Sequence, residues 1–199
     1  MTATQARKAD VKRKTKETKI ELSLNIDGSG DGDISTNVGF LDHMLDLLAR
    51  HALFDLKVKA TGDVHVDDHH TVEDVGICLG RALKEALGEK RGIVRFGDAS
   101  APMQEALANV ALDIGGRAEL VFNAKFPTEK VGRYDSALTE EFLEALVANA
   151  GINLHVNVPY GRNTHHITEA IFKALAKALD KATRTDPRRT DVPSTKGVI

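Results

Sequence analysis

The chain is poor in the residues that several common protein classes need. It has no tryptophan, and aromatic residues make up 5% of its 199 positions, which argues against a surface that stacks nucleic-acid bases. Its single cysteine, Cys78, rules out an internal disulfide framework and is typical of a reducing compartment. Its net charge of −2 gives no general attraction to nucleic acid or to an anionic membrane.

Long apolar runs are also missing. No stretch approaches the ~20 residues that span a bilayer, and the first residues lack the apolar core of a signal peptide. A hydrophobic fraction of 42% and a charged fraction of 28% instead predict a globular protein with a substantial core. We therefore expect a cytoplasmic protein that has neither nucleic acid nor a membrane as a partner.

Histidine is the residue type that stands out, because four of the eight histidines lie in a motif that occurs twice. His69 and His70 are followed by Glu73, and His165 and His166 are followed by Glu169. Each copy of this His-His-x-x-Glu motif opens a run whose apolar residues recur at helical spacing. Two copies in matching contexts indicate a metal site far more strongly than one copy would.

The repeat extends beyond the motif. With His43 placed opposite Glu141, Leu45 faces Leu143 and Phe54 faces Ile152 without a gap. This regularity predicts a tandem duplication within an α/β fold, layered in the α+β manner. Each half is expected to run strand, strand, helix, strand, helix, and to form one sheet with two helices on a face.

The predicted boundaries divide one compact domain into four stretches. Residues 1–14 read as a disordered basic arm, residues 15–90 as the first half and residues 91–184 as the second half. Residues 185–199 read as an extended C-terminal tail. Within this frame, the turn-rich residues 27–33 are expected to close a β-hairpin, and residues 91–98 to connect the halves.

The spacing of the motif predicts two metal ions. Neighbouring helical residues point about 100° apart, so the two histidines of a pair serve different ions, while the glutamate lies on the neighbouring surface. The repeat adds His43 and Glu141 as equivalent ligands. Imidazole and carboxylate together favour Mn, Fe or Zn over Ca or Mg, and the lack of thiolates argues against a closed structural zinc site. The predicted ligands are His43, His69, His70, Glu73, Glu141, His165, His166 and Glu169.

Several segments, in order and with matching spacing, resemble one known family. The chain is similar to the imidazoleglycerol-phosphate dehydratases of histidine biosynthesis from about Lys12 to its end. The segments that carry the resemblance are Phe40-Leu41-Asp42-His43-Met44-Leu45, Gly62-Asp63-Val64-His65, Asp68-His69-His70-Thr71-Val72-Glu73-Asp74, Arg95-Phe96-Gly97, Gly115-Gly116-Arg117, His165-His166-Ile167-Thr168-Glu169-Ala170 and Pro193-Ser194-Thr195-Lys196-Gly197.

The resemblance implies a metal-dependent hydro-lyase that converts D-erythro-imidazole-glycerol phosphate to imidazole acetol phosphate and water. It further implies two Mn²⁺ ions per active site and a homo-oligomer of 24 subunits with its active sites at subunit interfaces. Glu17 would act in proton transfer, and the tail would cover the site. The substrate phosphate would be held by Arg95, Arg117, Ser194 and Lys196.

Three positions depart from the family pattern. Glu141 stands where many members have histidine, Gln104 stands where an aspartate is usual, and Leu47 stands where some members have glutamine. Two other interpretations of the residues remain open at this point. A two-metal phosphoester hydrolase would share the same ligands and release phosphate without forming a ketone. A non-enzymatic metal-binding protein would bind the ions without turning over any imidazole phosphate.

Overall fold

The computed structural model describes residues 6–199, so the first five residues of the predicted arm lie outside the described part. Four helices lie between two four-stranded sheets and share one hydrophobic core with them. Each sheet carries two helices on its inner face, as the sequence predicts. The outer faces of both sheets are lined largely by polar side chains.

The first half is a mixed sheet with two helices. Its strands lie in the order β1-β2-β4-β3, and only β3 and β4 run parallel. Helix α2 packs on β1 and β2, whereas α1 packs on β3. The elements are β1 (Lys8–Lys14), β2 (Thr18–Asn25), β3 (Gly32–Ser35), α1 (Gly39–Ala52), β4 (Asp55–Gly62) and α2 (His69–Leu87).

The second half repeats this arrangement and adds one small hairpin before its first helix. The additional elements are β5 (Phe96–Met103), β6 (Ala106–Asp113), β7 (Glu119–Asn123), β8 (Lys130–Val131), β9 (Tyr134–Asp135), α3 (Leu138–Ala150), β10 (Asn153–Tyr160) and α4 (Thr164–Thr183). The sheet order is β5-β6-β10-β7, and β7 and β10 run parallel just as β3 and β4 do. The predicted duplication is therefore confirmed, and β8–β9 is the insertion that distinguishes the halves.

The prediction of a disordered arm is wrong for Lys8–Lys14, which form β1 and pair with β2 along their whole length. Ala9 is buried and Val11 partly buried, while charged residues occupy the alternate positions. The predicted connector 91–98 likewise contains the start of β5. Both strands lie at sheet edges, where charged residues are common because they discourage pairing with another chain.

The hairpin predicted across residues 27–33 is also wrong. β4 lies between β2 and β3, so the turn carries the chain past β4, and β3 then pairs with it in parallel. Asp55 at the start of β4 holds this turn, because its carboxylate accepts hydrogen bonds from the Asn25 amide at 2.9 Å and the Ser29 backbone N–H at 2.7 Å. These bonds lower the pKa of Asp55 to about 2, against the opposing effect of burial.

The helices of the two halves pair crosswise: α1 packs against α4, and α2 packs against α3. The α2–α3 contact depends on Gly76 and Gly80. A Cβ at Gly76 would lie 2.7 Å from the carbonyl oxygen of Phe142, and one at Gly80 would lie 2.5 Å from that of Leu146. Both copies of the His-His-x-x-Glu motif therefore begin helices that lie between the halves. None of the described helices is long and apolar enough to cross a membrane.

Residues 185–199 contain neither helix nor strand, and they lie against the start of the second half. The backbone N–H of Gly92 donates to the carbonyl of Asp191 at 2.8 Å, and the N–H of Asp186 donates to the carbonyl of Gly92 at the same distance. Arg95 binds the carbonyl of Pro193 at 2.7 Å. The tail is thus held in place by backbone contacts rather than by an apolar face, which explains the absence of hydrophobic periodicity.

Candidate active site

Three of the predicted metal ligands form one cluster between α1 and α4. Nε2 of His43 and Nε2 of His165 each lie 3.0 Å from the same oxygen, Oε1 of Glu169. Within residues 6–199, this is the one group of three metal-capable side chains whose ligand atoms all lie within 4.8 Å of one another. The cluster joins the two halves, because His43 comes from the first half and the other two residues come from the second.

Glu169 is held in its charged form. Its side chain is 7% exposed, and burial alone would raise its pKa. Hydrogen bonds from Lys173, His43 and His165 outweigh burial and lower the pKa to about 2. Lys173 follows Glu169 by one helical turn, and its Nζ donates to Oε2 at 2.6 Å. The sequence analysis missed Lys173, although the i, i+4 spacing is a recognisable signal.

The equivalent residues of the other motif lie between α2 and α3. His69 and Glu141 line one cavity of about 370 Å³, and Nε2 of His69 lies 3.9 Å from Oε2 of Glu73. This second group is more open than the first, since the side chain of Glu73 is 47% exposed. Because the helices pair crosswise, His165 lies near His43, and His69 lines the same cavity as Glu141.

His70 and His166, the second histidines of the two pairs, point away from these two groups. The rings of His69 and His70 are 6.1 Å apart and nearly perpendicular, and those of His165 and His166 are arranged in the same way. Nδ1 of His70 lies 3.0 Å from Asp63, and Nδ1 of His166 lies 2.7 Å from Glu105. A carboxylate on Nδ1 fixes the ring and makes Nε2 the basic nitrogen, which is the usual arrangement behind a metal-binding histidine.

Asp63 and Glu105 thus each hold the second histidine of a pair from different positions of the repeat, and neither was predicted from the sequence. Asp63 precedes His70 by seven residues, but Glu105 lies 61 residues before His166, so spacing alone gives no signal. Glu105 also accepts the backbone N–H groups of Arg162 and Asn163 at the start of α4. The hydrogen bond from His166 is the main cause that lowers the pKa of Glu105 to about 2. Glu105, next to Gln104, thus keeps a carboxylate in this turn.

Glu17, the predicted base, lies in the turn between β1 and β2. Its backbone N–H donates to the hydroxyl of Thr15 at 3.0 Å, which leaves its exposed carboxylate outside the turn. The pKa of His70 is raised first by its hydrogen bond to Asp63 and, against desolvation, by the charge of Glu17. Glu17 therefore lies on the same side of the molecule as His70.

Arg95, one of the predicted phosphate-binding residues, immediately precedes β5 and contacts the C-terminal tail that carries Ser194 and Lys196. The Arg95 guanidinium donates to both carboxylate oxygens of Asp113, at 2.6 and 2.9 Å, in addition to the Pro193 carbonyl. Ser194 follows directly, and its Oγ accepts the backbone N–H of Lys196 at 3.2 Å. Arg117 is exposed beside Gly116, which has a positive φ of 78° and whose lack of a side chain leaves room for the backbone of Ile199.

These residues and the first metal cluster lie at opposite ends of α4. The backbone N–H of Arg95 donates to the carbonyl of Ala182, near the last turn of that helix, whereas Glu169 lies near its first turn. Ala182 follows Glu169 by 13 residues, which corresponds to about 20 Å along a helix. In one chain, the Arg95 region and the His43–His165–Glu169 cluster are thus too far apart for one small molecule.

The donor set of the first cluster suits a divalent transition metal. Two imidazole nitrogens and a carboxylate oxygen converge without a thiolate, and the carboxylate is ionised at neutral pH. The fold and this site together define a duplicated α/β domain with an imidazole–carboxylate centre between its halves.

Comparison with known proteins identifies the family. The profile of imidazoleglycerol-phosphate dehydratase matches residues 36–179. The chain is 59% identical over 194 residues to the imidazoleglycerol-phosphate dehydratase of Geobacter metallireducens, covering 98% of this chain and 100% of that protein. It is 60% identical over 193 residues to that of Acetivibrio thermocellus, covering 97% and 99%.

Solved structures agree with the sequence comparison. The crystal structure of IGPD from Pyrococcus furiosus superimposes with a TM-score of 0.83 at 37% identity, covering 95% of this chain and 100% of that one. The Staphylococcus aureus imidazoleglycerol-phosphate dehydratase gives 0.82 at 41% identity, covering 90% and 99%. The chain belongs to the imidazoleglycerol-phosphate dehydratase family, whose members are hydro-lyases of histidine biosynthesis.

Proposed function

We propose that the chain dehydrates D-erythro-imidazole-glycerol phosphate to imidazole acetol phosphate with the help of two Mn²⁺ ions. The observation that carries this proposal is the cluster of His43, His165 and Glu169, whose ligand atoms all lie within 4.8 Å of one another. His70 and His166, each backed by a carboxylate, supply two further oriented imidazoles. Bound ions would act as Lewis acids towards the substrate imidazole.

The reaction requires loss of the hydroxyl group on the carbon attached to the imidazole ring and removal of the carbon-bound proton from the neighbouring carbon, whose own hydroxyl becomes the ketone. Glu17 is our candidate for the base, since its carboxylate is exposed and its negative charge contributes to the raised pKa of His70. The electron pair of the broken C–H bond forms the double bond, the hydroxyl leaves as water with an added proton, and the enol becomes the ketone. The residues near His70 thus handle the proton, while the phosphate is held elsewhere.

Arg95, Arg117, Ser194 and Lys196 are the proposed phosphate ligands. Three of the five N–H groups of Arg95 are engaged by Asp113 and Pro193, which leaves two for an anion. The tail that contacts Arg95 carries a hydroxyl group on Ser194 and an ammonium group on Lys196. Because this region lies about 20 Å from the first metal cluster along α4, we propose that a complete site combines residues of different subunits.

An assembly of 24 copies with active sites at the interfaces is the oligomer that we propose. The distance between the two parts of the site supports shared sites, and the family resemblance supports the number of copies. Location in the cytoplasm is likewise a proposal, supported by the single buried cysteine.

The test is metal analysis of the purified protein together with a dehydratase assay, with and without a chelator. We expect bound Mn²⁺, formation of the ketone product, loss of activity on chelation and recovery when Mn²⁺ is restored. His43→Ala should lose both metal and activity, whereas His155→Ala, on the outer face of β10, should keep both. Full activity without metal, or release of phosphate without a ketone, would contradict the proposal.

A further inference from the structure

We propose that the two metal-binding groups of the chain are chemically unequal, and that the group containing Glu141 binds Mn²⁺ more tightly than the group containing His43. This inference rests on the proposed function, because it assumes that both groups bind a metal. It follows from a comparison that the duplication makes possible, since every residue of one group has a counterpart in the other.

The ligands differ at one position. In the first group His43 and His165 share the carboxylate of Glu169, so the donors are two neutral imidazoles and one carboxylate. In the second group His69 and Glu73 correspond to His165 and Glu169, but Glu141 replaces His43. The second group therefore offers one imidazole and two carboxylates.

A lysine beside the first group makes the difference in charge between the two groups larger. Lys173 donates to Oε2 of Glu169 at 2.6 Å and thereby neutralises much of the only negative charge in the first group. The counterpart of Lys173 is four residues after Glu73, and that position is Ile77, which carries no charge. The first group therefore has one carboxylate and one ammonium, whereas the second has two carboxylates and no ammonium at the equivalent position.

The surroundings of the second group do not cancel this difference. The cavity beside His69 and Glu141 is lined by four carboxylates and two cations, Lys130 and Arg133. Arg133 is already paired with Asp68 at 3.1 Å. The local charge around Glu141 thus remains negative. His70 and His166 each have one carboxylate at Nδ1, so they do not change this difference in charge between the two groups.

Charge and donor type then predict the order of binding. A divalent cation is attracted more strongly to two carboxylates than to one that is paired with lysine, and the number of charged ligands is a main determinant of affinity. Oxygen donors also favour Mn²⁺, whereas imidazole donors favour Zn²⁺. The Glu141 group should fill first with Mn²⁺, and the His43 group should be the more selective for Zn²⁺.

The inference can be tested by titrating the metal-stripped full-length protein with Mn²⁺. Electron paramagnetic resonance measures the free ion at each step. We expect two classes of site that differ by about tenfold or more in dissociation constant. Glu141→His should weaken the tight class and bring the two classes together. Lys173→Ile, which gives the first group the residue of the second, should tighten the weak class. Glu140→His, one residue before Glu141 and exposed, is the matched control and should leave both classes unchanged.

The outcomes separate this inference from the proposed function. Two ions bound with equal constants, or an unchanged tight class in Glu141→His, would overturn the inequality and leave the metal site itself intact. The absence of any Mn²⁺ binding by the wild-type protein would overturn the metal site and the inequality with it. Should Glu141→His fail to fold, Lys173→Ile decides alone, since a weak class that it does not tighten contradicts the charge argument.

Discussion

At the scale of single residues, the chain orients its histidines through carboxylates that come from distant parts of the sequence. Glu105 in the turn before β6 fixes His166, and Asp63 after β4 fixes His70. The motif histidines and glutamates were predictable because chemistry and repetition coincide in them. Their partners were not, because a single carboxylate in a turn has no pattern, and only the fold brings it within 3 Å of an imidazole.

Glu105→Gln should weaken metal binding without unfolding the protein. The amide cannot supply the negative charge that now holds the Nδ1 hydrogen of His166, so the ring is less basic and less well oriented. We expect a loss of about 10- to 100-fold in metal affinity, measured by titration of the metal-stripped protein. Glu119→Gln, an exposed residue of β7, is the control and should bind metal as the wild type does.

Arg133 should contribute to stability through the start of α2. Its guanidinium lies 3.1 Å from Asp68, which is 6% exposed and immediately precedes His69, and it also binds the carbonyl of Asn37. Arg133→Ala leaves the buried carboxylate without its cation and should cost about 1 kcal/mol, a modest value because the arginine itself is 58% exposed. Chemical denaturation would show this, and Lys130→Ala should change the midpoint less.

At the scale of elements, the predictable parts are those with a strong period. All four helices and the central strands follow from apolar spacing, since their inner faces are buried in a continuous core. The edge strands β1 and β5 were missed for the opposite reason. Each has solvent or charge on most of its positions, and Pro102 and Gly97 further weaken the strand pattern in β5. Gly97 is required there because a Cβ would lie 1.9 Å from the carbonyl oxygen of Ala178.

Gly80→Ala should destabilise the protein although alanine is the better helix former. Helix propensity alone would favour the substitution by about 1 kcal/mol. The added methyl group would lie 2.5 Å from the carbonyl oxygen of Leu146, so α2 and α3 must separate, which typically costs about 1–3 kcal/mol. The net effect should be a lower thermal midpoint. Gly39→Ala, at the open start of α1 with nothing within 4 Å, should be neutral or stabilising.

Asp55→Asn should remove a pH-dependent part of the stability. The pKa of Asp55 is about 2 in the folded protein, below its ordinary value of 3.8, so its stabilising effect is present above about pH 4 and disappears as the pH falls towards 2. We expect a loss of about 1–2 kcal/mol at pH 7 and a difference that narrows in acid. Urea unfolding of the wild type and the variant at pH 7, 4 and 3 would measure this difference in the free energy of unfolding. A constant difference across this range would be inconsistent with the charged hydrogen bonds.

At the scale of the whole molecule, the separation of the two parts of the site makes a prediction about mixed assemblies. His43→Ala and Lys196→Ala should each be inactive. When the two variants are co-expressed, about a quarter of randomly assembled sites should contain only intact residues, if His43 and Lys196 of one site come from different chains. Dehydratase assays on the purified mixture would show the recovered fraction.

The matched control combines His43→Ala with Glu169→Ala. These residues lie 3.0 Å apart within one chain, so no mixed site contains both intact, and the mixture should stay inactive. Recovery in this control, or its absence with Lys196→Ala, would mean that the site is not divided between chains in the proposed way. The family resemblance implied this proposed division, whereas the residue patterns alone could not, because they do not show which parts of different chains lie together.

The crosswise pairing of the helices also bears on ancestry. Two separate copies of one half, related by a twofold axis, would make the α1–α4 and α2–α3 contacts identical, and both metal groups would then carry the same residues. One polypeptide is free of that constraint: histidine stands at position 43 and glutamate at position 141, with lysine at 173 and isoleucine at 77. The two halves can therefore carry different residues at equivalent positions, as the two subunits of a heterodimer can, although they belong to one polypeptide.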